Sequence, residues 1–313
     1  MARLTELEAA CRAAGLVAGE RRALQYGGQI SVRQGSATAT LTVYGGKKGI
    51  SVVVGGAPGS SLRAALEALA GDMKDAATPH AAPHAGALFP TGPWIGSDES
   101  GKGDYFGPLV AAAVFVEPAQ EAALLAAGVR DSKLLDDVAA RHAAAAIRTI
   151  CAGRFAEDLL EPASYNARYA ALRAQGENLN HLLADSHVRV IAAVLASLPA
   201  DAPAPLVIAD QFANERHVRE RLLARTAAEG RAMPPLLQAP RAEANVAVAA
   251  ASILARDRFL AWLDDASARW GVRLPKGGSN AAIVAAARRI AASGEGALPQ
   301  VAKLHFATTQ RVT

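Results

Sequence analysis

Residues 75–93, "DAATPHAAPHAGALFPTGP", constrain this chain before any element is assigned. Proline lacks the amide proton a helix or central strand needs, and no apolar period of 3.6 or 2 residues runs through the stretch. It reads as a linker, so the elements on either side must bury their apolar faces on their own side. The expected organisation is a small unit over 1–74, a linker over 75–93 and a larger domain over 94–313.

The small unit opens with a helical pattern over 4–15. The run "QISVRQGSATATLTVYGGKKGISVVVGG" (29–56) alternates and is broken by glycine turns, which predicts antiparallel strands. "SSLRAALEALAGDM" (60–73) begins on serines suited to capping and continues at helical spacing. A sheet with a helix across one face follows. Residues 1–74 carry nine Lys and Arg against five Asp and Glu. Arg33, Lys47 and Lys48 fall on the predicted strands or turns, where they could grip a nucleic-acid backbone. For Lys47 and Lys48 a solvated turn is the plainer alternative.

Past residue 93 the pattern changes to alternating strands and helices. "PLVAAAVFV", "RFAEDLL" and "APLVIADQF" read as strands. "LDDVAARHAAAAIRTICAG", "ENLNHLLADSHVRVIAAVLASL" and "AEANVAVAAASILARDRFLAWLDDASARW" read as helices, the last starting near Glu243. This mixture predicts a layered α/β domain. The two cysteines, Cys11 and Cys151, are far apart and form no CxxC, which excludes a thiolate zinc site and fits a reducing cytoplasm. No apolar run reaches membrane-spanning length. The net charge of +4 permits a polyanionic partner without requiring one.

The chemistry concentrates at "WIGSDESGKGDYFGPLVAAAVFV". Asp98 and Glu99 sit together at the end of an apolar run, followed by glycines around Lys102. Asp210 ends another strand and Glu243 opens a helix. Strand ends and helix starts converge on one crevice in α/β sheets, and several carboxylates in one crevice repel unless cations separate them. Hard oxygen ligands suit Mg2+ or Mn2+, and a pair of such ions serves phosphodiester hydrolysis. Consecutive strand residues face opposite ways, so Asp98 and Glu99 share a metal site only if the strand ends or bends there. Asp104, Asp131 and Asp257 are further candidates on spacing alone. His80 and His84 lie in the linker. His305 and Tyr165 are open between packing and substrate contact.

"GSDESGKGDYFGPLVAAAVFV" resembles the opening motif of the type 2 ribonucleases H, and its "GKGDYFGP" form is similar to the ribonuclease HIII type. "VRDSKLLDD", "YNARYAALRAQGENLNHLLADSHVRVI", "VIADQFA", "AEANVAVAAASILARDRFL", "LPKGGS" and "KLHFATTQ" resemble the family's later blocks, in order. The resemblance implies a ribonuclease H-like mixed sheet flanked by helices, with a small N-terminal α+β domain like the TATA-binding protein. It implies a monomeric endonuclease that cuts the RNA strand of RNA–DNA hybrids by a two-metal-ion mechanism, leaving 5′-phosphate and 3′-hydroxyl ends. Asp98, Glu99, Asp210 and Glu243 correspond to the catalytic, metal-holding acids. Gly101, Lys102 and Gly103 correspond to the loop that meets the backbone beside the scissile phosphate and senses 2′-hydroxyls. Apart from the resemblance, Lys102 and Lys133 are basic side chains suited to neutralising phosphate. The alternative is a hybrid-binding protein without catalysis, against which the retention of all four acids speaks.

Overall fold

The computed structural model describes residues 2–24, 27–35, 37–46, 49–56, 60–75, 89–199, 202–211 and 215–312. Lys47, Lys48, His80 and His84 lie outside them. The chain forms two compact units, Met1–Pro83 and His84–Thr313. No helix among the described residues is long and apolar enough to cross a membrane.

The first unit runs α1 (Ala2–Ala13), β1 (Val17–Leu24), β2 (Gly27–Gln34), β3 (Ala37–Gly46), β4 (Gly49–Gly56) and α2 (Ser61–Asp75). The strands form an antiparallel meander in sequence order. Ile30 pairs with Leu41 and Val32 with Ala39, and all four are buried with Leu4, Leu7, Leu62 and Leu66 of the helices. Alternation sends their neighbours to the other face. That face carries Gln29, Ser31, Arg33, Thr38, Thr40 and Thr42, with Arg22 directly opposite Gln29. The sequence pattern did not reveal β1, because "VAGERRAL" has charges where alternation would put apolar residues. One of them, Arg21, faces the helices and bonds Glu8 at 2.6 Å.

The second unit is built on a five-stranded mixed sheet. Its elements are β5 (Trp94–Ser100), β6 (Leu109–Val116), α3 (Pro118–Ala126), α4 (Asp137–Ile150), β7 (Phe155–Leu160), α5 (Pro162–Ala174), α6 (Leu179–Ser197), β8 (Leu206–Asp210), α7 (Glu215–Ala228), β9 (Leu236–Ala239), α8 (Val246–Trp270) and α9 (Ala281–Ala291). The strand order is β7-β6-β5-β8-β9. β5, β6 and β7 are antiparallel neighbours, while β8 and β9 run parallel to β5.

Two helices sandwich the central strands. In β6, Val110, Ala112, Val114 and Val116 join the core formed with α8 and α4. Ala111, Ala113 and Phe115 join the core formed with α6. The same alternation holds along β5, where Trp94 belongs to the α8 side and Ile95 to the α6 side. The helix α8 opens "VAVAAASILA", and these small buried side chains let its backbone come down onto the sheet. The approach is closest at Gly96, where an added Cβ would overlap the backbone at Ala247 and Val248.

Gly96→Ala should therefore destabilise the second unit by about 3 kcal/mol, since the obstacle is backbone that no rotamer change removes. Gly103→Ala, with open space around the added methyl, should leave stability within about 0.5 kcal/mol. Urea-denaturation midpoints of the two variants check this.

Candidate active site

The alternation that packs the sheet also aims the acids. β5 keeps its register through Ser100, with Asp98 opposite Ala112 and Glu99 opposite Ala111. The bend required for Asp98 and Glu99 to face the same way is absent. Asp98 faces α8, with Ser252 beside its carboxylate. Glu99 faces α6, where its Oε2 accepts from His187 Nε2 at 3.0 Å. Both nevertheless reach one pocket, because β5 ends at Ser100 and the pocket lies at the ends of β5 and β8.

That pocket has a volume of about 390 Å³ and is lined by Asp98, Glu99, Asp210 and Glu243 together. Asp210 arrives as the last residue of β8 and pairs with Ala239 of β9. Glu243 does not open the long helix. It lies on a separate 3-10 turn, Ala242–Ala244, which Arg241 enters with φ 58°. α8 starts at Val246, capped by the Asn245 side chain accepting from the Ala247 amide at 2.9 Å. The turn brings Glu243 to the pocket ahead of the helix.

The electrostatics differ between the two adjacent acids. Burial, followed by the charge of Glu99, pushes the Asp98 carboxyl up to about 7. Burial also acts to raise Glu99, but hydrogen bonding and charge from His187 and then Lys102 outweigh it and hold Glu99 below its ordinary value. Lys102 Nζ stands 3.5 Å from Glu99 Oε1. Lys133 Nζ stands 3.4 Å from Glu243 Oε1, with its side chain 76% exposed.

The remaining sequence candidates separate cleanly. Asp104 lines the pocket, but its Oδ1 accepts the Gly277 amide at 2.6 Å and so ties two loops together. Asp131 caps the turn Ser132–Leu134 by accepting from the Lys133 amide at 3.0 Å. Asp257 pairs with Arg148 at 2.7 Å. Tyr165 is fully buried and packs beside Tyr169, which makes it a core residue. His305 is exposed and lies in a cluster of rings with Tyr165, Tyr169 and Phe306. Gly101 adopts φ 85°, and an added Cβ would overlap Pro108 O, so the loop needs glycine there.

Sequence reasoning missed His187, Ser252, Arg256 and Lys276. Ser252, Arg256 and Lys276 line the pocket. Arg256 bonds Ser132 O and Asp137, and Lys276 also bonds Asp137, so this network fixes the turn that carries Lys133. A usable signal existed for His187, a polar residue in the otherwise apolar stripe of Leu183, Val190, Ile191 and Val194.

The donor set suits hard divalent cations, being carboxylate oxygen throughout. Asp98, desolvated beside a second acid, is the kind of group a cation would relieve. Among the described residues, no three His, Cys, Asp or Glu side chains are gathered closely enough to hold one ion unaided.

The Ribonuclease HII family model matches residues 95–309. Ribonuclease HIII of Protochlamydia amoebophila is 39% identical over 220 residues, covering 70% of this chain and 68% of the relative. The crystal structure of Bst-RNase HIII in complex with Mn2+ matches with a TM-score of 0.63 and 30% identity, covering 98% of this chain and 95% of that one. Aquifex aeolicus RNase H3 shares the fold, with a TM-score of 0.52 and 20% identity over 97% of each chain. The chain belongs to the type 2 ribonuclease H family, as a member of its ribonuclease HIII branch.

Proposed function

We propose that this chain is an endonuclease that hydrolyses the RNA strand of RNA–DNA hybrids with two Mg2+ or Mn2+ ions, leaving 5′-phosphate and 3′-hydroxyl ends. The observation that carries the reading is the meeting of Asp98, Glu99, Asp210 and Glu243 in one pocket at the ends of β5 and β8. These four would hold the ions. Bound there, divalent cations would supply neutralisation of the phosphate and acidification of a water.

The chain's own groups do the rest. Asp98, with the higher proton affinity of the adjacent pair, would give up its proton where a cation is held. Lys102 and Lys133 hold Glu99 and Glu243 in ion pairs and are exposed enough to turn to phosphate oxygens. Gly103 has no neighbour within 4 Å of where a side chain would start, so the side of the loop a side chain would cover is open to close approach by a ribose. The 2′-hydroxyl is what separates RNA from DNA at such a contact. On the first unit, Arg33 lies on the open sheet face with Arg22, among uncharged Thr, Ser and Gln, a composition suited to phosphate contact. Lys47 and Lys48 remain sequence-based candidates for the same role.

The alternative, hybrid binding without catalysis, draws on the absence of a preassembled three-ligand cluster among the described residues. A labelled hybrid and its matched RNA and DNA duplexes, each with and without Mg2+, decide between them. Metal-dependent cutting confined to the RNA strand is expected, and binding without cutting would favour the alternative. Asp98→Asn and Asp210→Asn should each lower kcat by about 10³-fold or more while hybrid affinity stays within about threefold.

Proton linkage gives a second test. With the Asp98 carboxyl raised to about 7, the metal-free site holds a proton below that pH and a metal must displace it. Mn2+ binding should release about one proton near pH 6 and almost none near pH 8.5, with affinity rising between the two. Calorimetry in buffers of different ionisation heat measures the release directly. Proton release that does not change with pH would contradict the role given to Asp98.

For the first unit, the double variant Arg22→Ala with Arg33→Ala should flatten the dependence of log affinity on log salt by about 1 to 2. Titration of full-length protein with hybrid across a salt series reads it.

A further inference from the structure

His187 is completely buried on the face of α6 that packs against the sheet, amid Leu183, Ala184 and Ile191. An imidazole in such a layer is costly unless both ring nitrogens find partners. Both do. Nδ1 lies 2.7 Å from Ser97 Oγ, and Nε2 lies 3.0 Å from Glu99 Oε2. Ser97 and Glu99 are two residues apart on β5 and therefore share the α6 face. Ser97 is itself fully buried, and its single hydroxyl proton goes either to His187 Nδ1 or to Ala112 O, 3.1 Å away.

With Glu99 ionised, the network assigns the proton on His187 Nε2. An ionised Glu99 carboxylate only accepts, so Nε2 carries a hydrogen and donates it. This holds whether Ser97 gives its proton to Nδ1 or to Ala112 O. Glu99 Oε2 is thus occupied on the helix side. Oε1 is left on the other side, with the half-exposed Lys102 at 3.5 Å. Without the anchor, the flexible Glu99 side chain would have no fixed partner on the helix side.

We propose that His187, braced by Ser97, is a positioning residue that fixes the Glu99 carboxylate so that Oε1 is presented to a divalent cation. The proposal rests on the reading of Glu99 as a metal ligand. It also accounts for how an acid pointing away from Asp98 contributes to the same pocket: the helix on the far face of the sheet supports the site from behind. Groups that orient a ligand in this way typically change metal affinity by about 10- to 100-fold when removed.

The test compares His187→Leu, which fills the space without a donor, with His187→Gln, whose amide nitrogen can take the place of Nε2. Mn2+ binding to the full-length, substrate-free protein is followed by calorimetry and by the electron paramagnetic resonance of free Mn2+. His187→Leu should weaken Mn2+ about 10- to 100-fold, and His187→Gln should recover most of that loss. At saturating Mn2+, the KM for hybrid should stay within about twofold of the parent in both, with kcat lower in the leucine variant. If His187→Leu does not fold, Ser97→Ala removes the brace alone and should weaken Mn2+ by roughly tenfold, the lower end of the same range. Glu99→Gln separates the proposal from the reading beneath it. If Glu99→Gln binds Mn2+ normally, Glu99 is not a ligand and the underlying reading fails. If Glu99→Gln is weakened while the folded His187 or Ser97 variants bind like the parent, or if the leucine and glutamine variants are equally impaired, the positioning role alone is overturned.

Discussion

The close seat of α8 on β5 is the contact on which the rest of the structure depends. It exists because Gly96 has no side chain and because the first turns of α8 are nearly all alanine and valine. Lowered onto the sheet, α8 brings Ser252 within reach of Asp98 and Arg256 within reach of the turn at Ser132. The turn at Ala242–Ala244, just ahead of the helix, brings Glu243 to the same pocket. A side chain at residue 96 would lift the helix and disperse all three.

The opposite face of the sheet carries its own buried polar group beneath the pocket. Ser97, His187 and Glu99 form a hydrogen-bonded line between β5 and α6. The two faces of one strand therefore serve the pocket differently. On the α8 side, burial raises the proton affinity of Asp98; on the α6 side, a donor and a nearby lysine keep Glu99 ionised. Two adjacent acids acquire different protonation behaviour because strand geometry sends them into different surroundings.

Ties between distant segments hold the glycine loop that follows β5. Asp104 binds the Gly277 amide, and the buried Lys303 donates to Asp104 O at 3.0 Å and to Gly107 O at 2.5 Å. The Lys303 amide binds Tyr105 O as well. The "LPKGGS" and "KLHFATTQ" segments near the end of the chain thus act on the loop that begins at Gly101, which explains physically why blocks so far apart in sequence belong to one site.

Much of this was legible in the sequence. Apolar runs and glycine turns marked the strands β6 and β8 and the helices α6 and α8, since period and punctuation are local properties. The four acids were candidates by their place at element ends, and the resemblance to the type 2 ribonucleases H singled them out from Asp104, Asp131 and Asp257. What the sequence could not disclose was direction. The unbroken register of β5, the 3-10 turn carrying Glu243 and the pairing of His187 with Glu99 all depend on which face meets which helix. The strand β1 escaped notice because its Arg21 finds Glu8 on α1, a partner supplied by another element. Composition and periodicity belong to the chain and can be read along it. Facing, burial and charge pairing arise between segments far apart in sequence, and only packing in three dimensions decides them.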